Sequence, residues 1–224
     1  FKGSGSSDLS IVHNGNIPTI NGHDTTKLLS LIIGEQDRRY FNIEESLCNV
    51  MNTVPGSYCL IIQYNNSLYV MKDRFGIRPL SYGIKDGNIH ISSETNALSG
   101  CNNITEVKSG EILTWNGNVK PIQVCQHKEV YNYVCAFELI YFMNPESYYY
   151  NVKVEDFRKY LARKLAKKET LKGNDYIVIG APKSGIIYGK EYASQMNLKY
   201  EQLILKTDNC LNGSDRTFTI IDNN

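Results

Sequence analysis

"GSYCLIIQYNNSLYVMKD", residues 56–73, and "RPLSYGIKDGNIHISSE", residues 78–94, decide the fold class. In the first stretch, apolar and aromatic runs from Tyr58 to Tyr64 and from Leu68 to Lys72 flank Asn65-Asn66. Asn tolerates the left-handed backbone that a tight turn requires. In the second, the break is Asp86-Gly87, a strong short-range hairpin signal. "GEILTWNGNVKPI", residues 110–122, repeats the design around Asn116-Gly117. Three hairpins in succession predict antiparallel sheet.

Helices are expected before this sheet. "DTTKLLSLII", residues 24–33, places Leu28, Leu29, Ile32 and Ile33 on one face, with Asp24 as its expected cap. Residues 43–51 repeat the pattern with Ile43, Leu47, Val50 and Met51, and Glu44 and Glu45 suit the positive end of the helix dipole. Helices followed by antiparallel strands indicate an α+β layer architecture. From about residue 125 the character changes. Residues 127–133 read as a linker, and "VCAFELIYF", residues 134–142, as an apolar strand ended by Asn144-Pro145. Residues 152–168 are expected to be helical, with Val154, Phe157, Leu161 and Leu165 on one face. "YIVIGAP" (176–182), a helix over 186–196 and "LKYEQLIL" (198–205) then give strand, helix, strand, the start of a parallel α/β region. The expected division is residues 1–124 and 125–224.

Charge excludes some partners. Twenty-four basic and 23 acidic residues leave a net charge of +1, so no strong field points to nucleic acid or a membrane surface. The cluster Arg163, Lys164, Lys167 and Lys168 reads as a solvated helix face. No apolar run is long enough to span a bilayer, and the start, FKGSGSSD, lacks a signal-peptide core. None of the six cysteines is in CxxC spacing, which disfavours a zinc ribbon or a thioredoxin-type motif. Reduced, mostly buried thiols in a cytoplasmic protein are expected, with no metal site and no cofactor evident.

"SIVHNGNIP", residues 10–18, admits two readings. One is a plain turn, in which Asn14-Gly15 stops a short strand. The other is an oxyanion hole, in which the Asn14 amide and a backbone N–H beside Gly15 aim two donors at a developing negative oxygen.

Seven stretches, in one order, resemble amidophosphoribosyltransferases: VHNGNI (12–17), DRFGIRPLSYG (73–83), SSETNAL (92–98), GEIL (110–113), FELIYFMNPES (137–147), VIGAPKSG (178–185) and DRTFTI (215–220). HNGN is shared with other class II glutamine amidotransferases, such as glucosamine 6-phosphate synthase. The DRFGIRPL and FELIYFMNPES stretches and the following α/β pattern favour the first family. The resemblance implies release of ammonia from glutamine and its transfer to phosphoribosyl pyrophosphate, in purine synthesis. It implies part of an N-terminal-nucleophile hydrolase αββα sandwich, then the start of a phosphoribosyltransferase-type parallel sheet.

The resemblance also assigns roles. Asn14 and Gly15 match the oxyanion-hole pair. Asp24 matches the carboxylate that binds the α-amino group of glutamine, a role that competes with helix capping. Gly76 and Pro79 are expected to shape a turn, Arg78 to form an ion pair, and Ser92-Ser93-Glu94 to brace strands. Lys183, Ser184 and Gly185 fall in a loop that could cradle phosphate at a helix N-terminus, with Lys183 where the family is acidic. Arg216-Thr217-Phe218 matches a second family motif, with Asp215 in place of its Gly. Cys135 falls where some members ligate an iron–sulfur cluster, and is read as a buried thiol because one cysteine cannot hold a cluster. Mg²⁺ is implied only with phosphoribosyl pyrophosphate.

The family nucleophile is an N-terminal Cys, whereas residue 1 is Phe, and no hydrophobic-Asp-Asp-Ser/Thr loop for the ribose phosphate occurs. The segment from Asn14 to Asp24 is also shorter than in the family. Three expectations stand side by side. The chain is part of a longer enzyme, one piece of a split enzyme completed by a partner chain, or a degenerate relative kept as a non-catalytic structural, assembly or regulatory protein. A homo-oligomer is expected in the active cases.

Overall fold

The computed structural model describes residues 9–19, 22–34, 42–117, 120–171, 173 and 175–205. The chain divides into two compact units, residues 1–154 and 155–224. The first includes the segment from residue 125 onward that the sequence reading placed in the second part.

The predicted hairpins form. In the first unit a five-stranded sheet has the order β1-β2-β3-β7-β8, from β1 (Leu9–Asn16), β2 (Ser57–Tyr64), β3 (Ser67–Lys72), β7 (Glu111–Trp115) and β8 (Ile122–Gln126). A three-stranded sheet has the order β5-β4-β6, from β4 (Ser81–Lys85), β5 (Asn88–Ser92) and β6 (Asn102–Glu106). All these pairs are antiparallel. Asp86 and Gly87 both have positive φ, 51° and 75°, as the tight two-residue turn requires. β6 was missed because Asn102-Asn103 and exposed Thr105 hide any alternation.

Alternation of side chains assigns the two faces of the large sheet. Leu9, Ile11, Tyr58, Leu60, Ile62 and Met71 bury one face with residues of α1 (Asp24–Ile33) and α2 (Ile43–Thr53). Cys59, Val70, Leu113 and Trp115 bury the other with Leu80, Tyr82, Ile89 and Ile91 of the small sheet. The result is three layers: helices, sheet, sheet. α2 starts where Asn42 caps it, its Oδ1 accepting from the N–H groups of Glu44 (3.1 Å) and Glu45 (3.3 Å). A buried ion pair ties the sheets together. Fully buried Lys72 of β3 reaches Glu106 of β6 at 3.0 Å and lies 5.4 Å from the centre of the Tyr150 ring. Without Glu106, Lys72 would be an unpaired buried charge, so the pair is worth keeping whole.

Two expectations fail in the segment after β8. Residues 136–142 are helical, ending in a π-helical turn over Glu138–Phe142 rather than a strand. Arg78 explains the preference: its Nη1 bonds Glu138 Oε1 at 3.0 Å, an anchor that a helical turn presents beside buried Leu139. Residues 127–133 are also no free linker. The N–H groups of Tyr131 and Tyr133 donate to the carbonyls of Arg74 (2.8 Å) and Phe75 (2.9 Å), and both rings stack with Phe75. Downstream, Glu94 Oε2 accepts from Asn144 N–H (2.7 Å) and Ser147 Oγ (2.8 Å), so it holds the loop at residues 144–147 rather than bracing strands. A small hairpin, β9 (Tyr148–Tyr149) and β10 (Val152–Lys153), follows.

In the second unit, α3 (Val154–Ala166, its first residue in the first unit) precedes β11 (Ile177–Ile179), α4 (Gly185–Met196) and β12 (Lys199–Glu201). β11 and β12 pair in parallel, as expected. The buried stripe of α3 is not the predicted one. Arg158 and Ala162 are 2% exposed, whereas Leu165 is 62% exposed. The helix turns Arg158 inward, where it hydrogen-bonds the Tyr188 phenol of α4. Arg163 pairs with Glu191 at 3.0 Å, so the basic cluster is not wholly solvated. No described helix is long and apolar enough to cross a membrane.

Gly76 and Gly87 both have positive φ, 68° and 75°, but only Gly76 is enclosed: a Cβ there would lie 1.9 Å from Ser109 Oγ. Gly76→Ala should therefore cost at least about 3 kcal/mol, from backbone strain plus overpacking, and Gly87→Ala about 1 kcal/mol, from strain alone. Urea unfolding of the two variants checks the ranking, and equal losses would contradict it.

Candidate functional site

The strand that carries Asn14 and Gly15 does not stop at His13. β1 runs through Asn16, with Asn14 opposite Cys59, Gly15 opposite Tyr58 and Asn16 opposite Ser57. The expected turn is thus corrected to the last residues of an edge strand. Gly15 is required by close approach, since a Cβ there would lie 2.2 Å from Ser57 O and 2.6 Å from Tyr58 Cα. Among the described residues β1 is the outermost strand of the sheet, beside β2. Asn14 is exposed, and among the described residues its amide has no partner.

Asp24 is brought to this strand end, but not as a cap. It is the first residue of α1, and His23 occupies the cap position without a side-chain cap bond. Asp24 Oδ2 instead accepts from Ile17 N–H at 2.9 Å. One residue on, Thr25 Oγ1 lies 3.1 Å from His13 Nδ1. Through these two bonds the start of α1 is fixed against the end of β1. Alternation puts His13 on the helix side of β1 and Asn14 on the other. No hydrogen bond joins Asn14 to Asp24 among the described residues.

His13 is held below its ordinary value of 6.5, first by burial and then by His23 and Arg78, against the attraction of Asp24. The imidazole is therefore neutral at pH 7. Its Nε2, Ser57 Oγ and Arg78 Nε are buried without partners among the described residues. Cys59, in register with Asn14, is buried beside the carbonyl of Arg78 (3.5 Å), and burial pushes its thiol up to about 12. Buried and protonated, this thiol is out of reach of a substrate in solution.

The residue that organises this end of the sheet was not singled out from the sequence. Asp73 Oδ2 accepts from Tyr58 N–H at 3.0 Å, and Oδ1 accepts from Phe75 (2.7 Å) and Gly76 (3.2 Å). Its own N–H donates to Tyr58 O at 3.0 Å, and its carbonyl accepts from Gly110 at 2.9 Å. Burial nevertheless outweighs the three N–H donors and raises the carboxyl above its ordinary range. The signal was available: an Asp directly after a hairpin and before an Arg-Phe-Gly turn is placed to accept from the N–H groups that follow it.

The remaining site residues lie in the second unit. Lys183 and Ser184 follow β11, and Gly185 opens α4, the strand–loop–helix arrangement expected of a phosphate loop. Gly185 N–H donates to Ala181 O at 2.8 Å, and the Ser184 side chain makes no cap bond. Residues 215–218 lie outside the described residues, as does Cys210. Of the five described cysteines only Cys59 is fully buried, and Cys135 is half-buried rather than buried. A cavity of about 760 Å³, lined in part by Glu106, Lys108, His127 and Tyr150, contains none of Asn14, Gly15 or Asp24. Chemistry, not cavity volume, picks out the end of β1.

Comparison with known proteins points the same way. A sequence model of the glutamine amidotransferase domain matches residues 4–100. The amidophosphoribosyltransferase of Methanocaldococcus jannaschii is 26% identical over 232 residues, covering 89% of this chain and 48% of the relative. That of Pyrococcus horikoshii is 31% identical over 164 residues, covering 72% and 35%. Among solved structures, the glutamine phosphoribosylpyrophosphate amidotransferase of Bacillus subtilis, complexed with ADP and GMP, aligns with a TM-score of 0.75 at 25% identity, covering 90% of this chain and 47% of that one. A second, described as the allosteric regulatory enzyme of purine biosynthesis, aligns at 0.76 with 27% identity, covering 89% and 45%. The chain spans between 35% and 48% of the length of these relatives.

The depressed His13 has a consequence for stability. An unfolded chain takes up a proton at His13 as pH falls through 6.5, whereas the folded chain resists it, so stability is lost on that side. Asp73 and Glu138, both raised by burial, act with the opposite sign at lower pH. His13→Gln should therefore lose less Tm than the parent between pH 7.5 and 5.5, and parallel pH curves would contradict the assignment. The strand end that this histidine helps to fix lies within residues 4–100, which match the glutamine amidotransferase domain model, and the chain is similar to amidophosphoribosyltransferases over up to about half of their length.

Proposed function

We propose that the first unit is the glutamine-handling part of an amidophosphoribosyltransferase, with an N-terminal-nucleophile hydrolase type of layered fold. The observation that carries this reading is the end of β1: an exposed Asn14 amide with no partner among the described residues, next to a glycine that only close backbone approach explains. In amide hydrolysis, attack on the glutamine side-chain carbonyl places negative charge on its oxygen. The Asn14 N–H₂ group and a backbone N–H beside Gly15 would stabilise that oxygen, an effect worth about 3–4 kcal/mol per donor in such sites.

Asp24 would receive the α-ammonium of glutamine. Ile17 N–H takes up Oδ2, and the charge remains available to a cation. The nucleophile is assigned by resemblance to an N-terminal cysteine thiol. Cys59, although opposite Asn14, is too deeply buried and too weakly acidic for that task.

Ammonia would then pass to phosphoribosyl pyrophosphate, whose phosphate the loop of Lys183, Ser184 and Gly185 would meet at the N-terminus of α4. The parallel pair β11 and β12 supports the start of a phosphoribosyltransferase-type sheet. Mg²⁺ belongs to this proposal only as a companion of the pyrophosphate. Among the described residues no cluster of three or more His, Cys, Asp or Glu side chains could hold it, and no step is assigned to it. A homo-oligomer or a completing partner chain, and a cytoplasmic location, belong to the same proposal.

The test is glutamine hydrolysis by the protein isolated from its native source, with its mass and N-terminus determined. Asn14→Ala should lower kcat about 100- to 1,000-fold with KM within a few-fold. Asp24→Asn keeps an acceptor for Ile17 N–H but removes the charge, and should raise KM for glutamine far more than it lowers kcat. Absence of glutamine turnover in the native protein, or an unchanged kcat in Asn14→Ala, would sink the reading.

A further inference from the structure

We propose that Cys48 of α2 and Cys125 of β8 form a redox-closable thiol pair, a modification site that joins the helix layer to the outer strand of the large sheet. Two independent features of the fold bring them together. The first is a β-bulge. Ile112 of β7 pairs with Cys125 but Leu113 pairs with Gln123, so Val124 is an extra residue in β8. In a regular strand Val124 and Cys125 would face opposite sides. Here both pack against the core cluster beneath α1 and α2, and Cys48 packs against the same cluster. The bulge re-aims Cys125 toward the helix layer, a recognised use of bulges.

The second feature is proximity, since the side chains of Cys48 and Cys125 interact with each other on this side of the sheet. Both cysteines are unbridged and half-buried, so a small oxidant has access to them. Burial pushes the Cys48 thiol up to about 12, and the Cys125 contact, Glu44 and Glu45 push it the same way. Cys48 thus holds its proton firmly and is assigned the second, resolving step. That order sets the chemistry.

The co-reactant is a low-molecular-weight disulfide, represented by oxidised glutathione. The Cys125 thiolate attacks one sulfur of the disulfide and releases one glutathione thiolate, leaving a mixed disulfide on Cys125. Cys48 gives up its proton, and its thiolate attacks the Cys125 sulfur and releases the second glutathione. Two protein thiols are oxidised to one disulfide, one glutathione disulfide is reduced to two thiols, and the two protons pass to the released glutathione. The proposal does not depend on the amidotransferase reading.

The experiment is incubation of the purified chain with oxidised glutathione, alkylation of the remaining thiols, and mass mapping of peptides without reduction. The expected product is a Cys48–Cys125 cross-linked peptide, lighter than the sum of its reduced parts by two hydrogens and separated by dithiothreitol. Its formation should be accompanied by a higher Tm, because the bond restricts the unfolded chain. Cys48→Ser should accumulate a stable glutathione adduct on Cys125, and Cys101→Ser and Cys135→Ser should leave the cross-link intact. A mixed disulfide on Cys125 that never resolves in the parent chain, cross-linking of either cysteine to a different one, or no reaction at either would overturn the proposal. The parent chain alone gives a decisive answer should a variant fail to fold.

Discussion

The Asp73 carboxylate is the contact on which the first unit depends. It accepts N–H groups from Tyr58, Phe75 and Gly76, while its backbone bonds Tyr58 O and Gly110 N–H. One residue thereby joins β2, the turn after β3 and the start of β7. Each of these N–H groups would otherwise be a polar group with no water to satisfy it, at about 1–3 kcal/mol apiece. The turn so fixed presents Gly76 to Ser109 and carries the chain on to Arg78, whose guanidinium anchors Glu138. Residues 127–133 then lie across the same turn through Arg74 and Phe75. A break at Asp73 would propagate in every one of these directions.

The same contact reaches the candidate site by one step. Tyr58, held by Asp73 on both its N–H and its carbonyl, is the cross-strand partner of Gly15. β2 approaches so closely there that no side chain fits on Gly15. The end of β1 is therefore held rigid, which the proposed oxyanion role requires, because preorganised donors do not have to reorient as charge develops. On its other side, Asp24 and Thr25 fasten α1 to Ile17 and His13. The strand end is held from both flanks, while among the described residues the Asn14 amide has no partner.

Much of this was legible in the sequence, for physical reasons. The three hairpins announce themselves because Asn65-Asn66, Asp86-Gly87 and Asn116-Gly117 supply turn chemistry between alternating apolar runs, and α1 and α2 because apolar residues recur at helical spacing. Asn14, Gly15 and Asp24 were legible by motif, and they do converge on one strand end. What escaped was decided by contacts far apart in sequence. The 136–142 segment has the composition of a strand but is helical, with Glu138 held by Arg78, 60 residues away. Leu165 fits an apolar stripe yet is exposed, because Arg158 turns inward to Tyr188. Asp24 admitted a capping role beside a glutamine-binding one, but it is the first residue of α1 rather than its cap, and its Oδ2 accepts from Ile17 N–H. Asp73 escaped because its partners at residues 58 and 110 meet only once the sheet has formed.

The most direct test of this account is residue-resolved amide hydrogen exchange on Asp73→Ala against the parent chain. The account predicts loss of protection at Tyr58, Phe75 and Gly76, extending across the strand pair to residues 14–17 of β1 and its exit. A loss confined to residues 73–76, with β1 and Tyr58 protected as in the parent, would contradict the claim that Asp73 builds the site.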